Sequence, residues 1–71
     1  MQYFRKKELQ PMMPWEPNMP MELVSISEAD KSNGSPKEGD MIACNPNDKT
    51  DFWLVAKEYM EENYEFVYEA V

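Results

Sequence analysis

The sequence has no histidine, one cysteine and two glycines, and only 7 basic residues stand against 14 acidic ones. Each scarcity excludes something. Without His, Ser/His/Asp and Cys/His catalysis are ruled out, and so are the commonest zinc sites. A single Cys, Cys44, forbids an internal disulfide, which suits a reducing cytosol or indifference to compartment. No stretch approaches the roughly 18 apolar residues of a membrane span. The opening MQYFRKKELQ has a basic cluster but lacks the apolar run of a signal peptide. A chain of 71 residues holds one small domain, 1–71, with a thin core.

What is present is apolar enough to fold: 42% of residues are hydrophobic and 13% aromatic. The net charge of -7 is unevenly spread. Through residue 37 the bases and acids balance; the whole excess sits in residues 38–71, which hold Glu58, Glu61, Glu62, Glu65 and Glu69 among others. Such a field repels phosphates, so direct nucleic-acid binding is disfavoured.

MQYFRKKEL alternates and predicts a strand whose charges protect a sheet edge. In PMMPWEPNMP, Pro11, Pro14, Pro17 and Pro20 recur every third residue, the period of polyproline II. This predicts an extended strap rather than a central strand, with Met12, Met13, Trp15 and Met19 on its other sides. Those side chains either close the core or form a patch that a partner grips. Thioether binding of Cu(I) is a remoter option, weakened by the missing His and second Cys.

MELVSIS predicts a brief strand, and Ser27-Glu28-Ala29-Asp30 a capping box opening about one helical turn that ends at Asn33-Gly34. SPKEGD is turn chemistry, with Pro36 suited to position i+1. GDMIACNPNDKTDFWLVA predicts a hairpin, with Trp53 and Val55 on one face and Phe52, Leu54 and Ala56 on the other. The rival is one long helix capped by Thr50, since Trp53, Ala56, Met60 and Tyr64 also fit helical spacing. A short helix from Lys57 to Tyr64 follows, with Tyr59, Met60 and Tyr64 inward. The tail YEFVYEAV then alternates as a half-buried strand.

The acids do not spell out catalysis, which would need a cleft and a carboxyl in an apolar setting. NPNDKTD lacks the order of a calcium loop. Cys44, inside an apolar run and with no His to activate it, reads as a small buried hydrophobe. No catalytic residue, metal ligand or cofactor is expected.

The segments YFRKK, GSPKEGDMIACNP and WLVAKEYMEENYE resemble a set of small tailed-phage proteins that share a GDMIA-x-NP element, a short loop, WLVA-x-x-Y-aromatic-x-x-N and an acidic finish. The likeness spans most of the chain and is weakest across the Met/Pro strap. Met60 stands where an aromatic is usual, and Cys44 where a basic residue is. The resemblance implies a phage or prophage origin and favours the hairpin over the long helix.

The expected fold is therefore α+β: a small antiparallel sheet, one short helix and a polyproline-II-like strap. The expected function is that of a non-catalytic phage accessory protein. It would bind a host protein of the antiviral defence in the host cytoplasm, as inhibitor or as sensed trigger. The expected contacts are Met12, Met13, Trp15 and Met19 as anchor, with Glu58, Glu61, Glu62 and Glu65 steering association. The alternatives are an acidic DNA mimic directed at a host enzyme and a minor virion protein.

Overall fold

The computed structural model describes residues 1–5 and 9–67. The chain is α+β, with strands β1 (Gln2–Arg5), β2 (Leu9–Pro14), β3 (Val24–Ser25), β4 (Met41–Asn45), β5 (Asp48–Val55) and β6 (Glu65–Val67). Helices α1 (Glu28–Ser32) and α2 (Lys57–Asn63) complete it. All six strands form one sheet in the order β3-β5-β4-β2-β1-β6. Every pairing is antiparallel except β3 with β5, which is parallel.

The hairpin reading of residues 41–56 holds and the long helix does not. Met41 pairs with Val55, Ile42 with Leu54 and Ala43 with Trp53. Aromatic and branched residues at 52–55 favour this pleated surface over a helix. Alternation then sorts the side chains as expected. Phe4, Met12, Met41, Ala43 and Val55 form a core on one face, with Trp53, Met60 and Tyr64 packed against it. Ile42, Leu54 and Ala56 form a second core on the other face. Cys44 is buried, as a small hydrophobe would be.

The proline segment departs most from expectation. Rather than a rod, its first part is an inner strand: β2 lies between β1 and β4, with Pro11 opposite Tyr3 and Pro14 opposite Met41. Register explains how two prolines are tolerated there. The Trp15 amide donates to the Asp40 carbonyl at 2.9 Å, so the odd residues of β2 direct their backbone groups to β4 and the even ones to β1. Pro14 thus turns its missing donor to a position beyond the end of β1, which pairs only as far as Met12. Pro11 turns its own toward Cys44, whose carbonyl instead accepts from Gln10 Nε2 at 2.7 Å. A side-chain amide replaces the ladder bond that proline cannot make.

Beyond Pro14 the chain bends. The Met19 amide donates to the Glu16 carbonyl and the Val24 amide to the Met21 carbonyl, so the three-residue proline period builds turns rather than an extended rod. Trp15, Met19 and Met21 lie across the second core, joined by Met13, Val24, Ile26 and Phe52.

Three further expectations need correction. The strand read through MQYFRKKEL is two strands, β1 and β2, and β1 is no edge because β6 pairs with its other side. Lys6, Lys7 and Glu8 lie outside the described residues, as do Tyr68 to Val71 of the tail. Tyr59, expected inward, is 45% exposed, while Met60 and Tyr64 do pack on the core. Position i+1 of the turn before β4 belongs to Glu38 rather than Pro36. The Asp40 amide donates to the Lys37 carbonyl, and Gly39, at φ 98°, occupies the left-handed position that a type II turn requires.

Gly39 therefore resists substitution. Gly39→Ala forces a left-handed φ on a side-chain-bearing residue and brings its Cβ to 2.7 Å from the Lys57 Cδ. Lys57 is flexible and exposed, so the backbone sets the penalty, about 1–3 kcal/mol. A urea-unfolding midpoint for the variant that matches the wild type would contradict this reading.

Candidate partner-binding surfaces

The most highly connected polar group is Asp40, buried at 0% exposure. Its Oδ2 accepts from the Ser35 hydroxyl at 2.7 Å and the Lys37 amide at 2.9 Å. Its Oδ1 accepts from Lys37 Nζ at 3.0 Å and the Lys57 amide at 2.9 Å. Local sequence prepares each partner. Helix α1 opens with Ser27 Oγ accepting from the Asp30 amide, as the capping box predicts. It closes in a Schellman arrangement: Gly34, at φ 93°, donates to the Lys31 carbonyl and Ser35 to the Asp30 carbonyl. That closure delivers the Ser35 hydroxyl to Asp40. Helix α2 has Ala56 at its N-cap and so no side-chain cap of its own; the Asp40 carboxylate serves its first amide from 17 residues upstream.

Burial pushes the Asp40 pKa up, but the Lys57 amide, the Ser35 hydroxyl and the Lys37 ammonium and amide outweigh it and hold the carboxyl below its ordinary value. Lys37 is raised, first by its bond to Asp40 and further by Glu58, whose Oε2 is 3.3 Å from Nζ. Glu58 is lowered by its own backbone amide at the start of α2 and by Lys37. This is a fold-holding network: every buried polar side-chain atom in it is satisfied.

The expected partner-binding residues do not form one surface. Met12 is fully buried in the first core and presents nothing to a partner. Met13, Trp15 and Met19 are half-buried on the opposite face. Glu61 and Glu62 are exposed on α2, which covers the first face. Glu58 is on that helix as well, paired with Lys37. Glu65 is exposed on β6 opposite Arg5, and so takes the face away from Phe66. The sheet separates the apolar anchor from the acidic helix, and the acids do not align in a single row.

Sequence reasoning missed the residues that make the apolar face accessible. Among the described residues, those packed on that face come from strands and loops and none from a helix. A groove of about 250 Å³ is lined by Met13, Met19, Leu23, Val24, Ile42 and Phe52, with Glu22 on its rim. Leu23 is 67% exposed beside it. A second groove of about 540 Å³, lined by Leu9, Pro11, Cys44 and Pro46, meets the first at Phe52. Leu23 and Leu9 gave no signal of their own in sequence, because exposure of a lone leucine is decided by what else folds over it. Among the described residues no cluster of His, Cys, Asp or Glu suits a metal ion, and no helix is long and apolar enough to cross a membrane.

No protein-family model, no curated protein and no solved structure matches the chain. Its function is therefore argued from these surfaces.

Proposed function

We propose that this is a non-catalytic phage accessory protein that acts in the cytoplasm of the infected cell by binding a host protein of the antiviral defence, as inhibitor or as the trigger that is sensed. The observation that carries a binding role is the apolar groove on the second face, which Met13, Met19, Leu23 and Phe52 surround. Contiguous exposed apolar surface marks interaction sites, and flexible Met side chains suit an adaptable one. Trp15 packs against the same second core as Met13 and Met19. The phage origin rests on the GDMIACNP and WLVAKEY segments of the sequence. Glu61 and Glu62, on the far face, steer encounter through their field rather than by contact with the anchor.

Leu23→Asp is the direct test. Leu23 is exposed, so the variant keeps the wild-type fold, with a stability change within about 0.5 kcal/mol. It is expected to weaken capture of the host protein from infected cells by about tenfold or more. Recovery of no specific host protein by the wild type, or equal recovery by the variant, would overturn the proposal.

A further inference from the structure

A third recess, sharing no lining residue with the two apolar grooves, lies where β5 runs on past the end of β3. Residues Val24 and Ser25 pair with Phe52 and Trp53, and there β3 stops. Beyond it Leu54, Val55 and Ala56 floor a cavity of about 360 Å³, at the small end of ligand pockets. Helix α2 supplies Tyr59 and, at its C-cap, Tyr64; β5 supplies Trp53; the start of α1 supplies Ser27 and Asp30. Three aromatic residues and one acidic residue thus line one recess, and none of its lining residues among those described is basic.

The ring geometry suits a flat cation. The Tyr59 and Tyr64 rings stand 6.1 Å apart and are inclined at 54°, forming two walls at an angle rather than a closed stack. Tyr59 is 45% exposed, which leaves the recess open to solvent. Glu62 lies three residues after Tyr59, on the same side of α2. An aromatic wall attracts a cation through its quadrupole, and a guanidinium can stack on a ring while its fork engages a carboxylate.

We propose that this recess binds an arginine side chain, held by Trp53, Tyr59 and Tyr64 and paired with Asp30. That the arginine belongs to a partner protein rests on the binding role proposed above; the recess itself does not depend on it.

The test uses the intact protein and N-acetyl-arginine methylamide, with the uncharged citrulline analogue as control. In a titration followed by NMR, the arginine probe shifts the Trp53 indole and Tyr59 signals saturably. The Trp15 indole, packed on the second core and absent from the lining, stays in place. The citrulline analogue, and the arginine probe on Asp30→Asn, bind more weakly by about three- to tenfold. No saturable shift at Trp53, equal binding of the neutral analogue, or equal movement of Trp15 would overturn the proposal. Because no host protein enters this titration, its result stands apart from that of the Leu23→Asp capture experiment.

Discussion

Replacing Asp40 with Ala lowers the stability of the fold by about 3–5 kcal/mol, the usual range when one member of a buried charged network is removed. The loss has two sources. The Ser35 hydroxyl and the Lys37 and Lys57 amides each lose their acceptor in a place that water reaches poorly. Helix α2 loses the carboxylate that caps its first amide, and with it the anchoring of Met60 and Tyr64 on the first core. A domain of this size commonly has about 4–10 kcal/mol in total, so the variant is largely unfolded or close to it. Asp40→Asn retains one acceptor oxygen and is expected to fall between the two. Urea midpoints for the three proteins check the order; a wild-type midpoint for Asp40→Ala would show that α2 needs no such cap.

The same carboxylate sets the acid limit. Its folded pKa lies below the unfolded one, so the folded state binds its proton less readily than the unfolded chain does. The stabilisation is fully present above the ordinary carboxylate range and is lost as pH falls through the lowered folded value. Lys37, raised by Asp40, works in the opposite sense: its contribution is present below its ordinary value and fades as pH rises through the raised one. The pair is thus ionised across the neutral range. Asp40→Asn flattens the acid limb of a stability-against-pH curve, and an unchanged limb would place the acid sensitivity elsewhere.

Met12→Ala is the second large effect. Met12 is fully buried and packs with Phe4, Met41, Ala43 and Val55 beneath α2. Truncation leaves a cavity that the surrounding strands cannot fill, at a cost of about 2–5 kcal/mol. Its neighbour Met13 is half-buried on the other face beside an open groove, so Met13→Ala costs about 1 kcal/mol. Two adjacent methionines in a proline-rich stretch then differ severalfold, as a strand requires and a solvated strap does not. Equal losses measured by chemical denaturation would contradict the β2 pairing.

The hairpin was legible because local signals agreed. Residues 52–55 have strand propensity, turn formers precede them, and period-two alternation sorted the two faces correctly. The Ser27 cap and the Asn33-Gly34 stop were equally readable, since both are satisfied by residues a few positions away. Proline misled for the converse reason. Its missing donor argues against an inner strand unless something distant compensates, and here the compensation is the stagger of β1 against β4 and the Gln10 amide on Cys44. Asp40 read as one turn residue among others because three of the groups that bind it assemble only when α1, the turn and α2 come together.

The absences noted at the start keep their force. No histidine, one cysteine and an acidic second half determine that this chain lacks the usual nucleophile-activating base and an internal disulfide, and that its charge excess is carried by residues 38–71. Composition and short-range pattern suffice for such statements because they concern which atoms exist. Which methionine is core and which is surface, and which acid is free and which is neutralised, were decided by tertiary structure. So was the meeting of Trp53, Tyr59, Tyr64 and Asp30 around one recess. Burial and proximity depend on strand register and on what packs across the sheet, and those are properties of the whole fold that no local window of sequence contains.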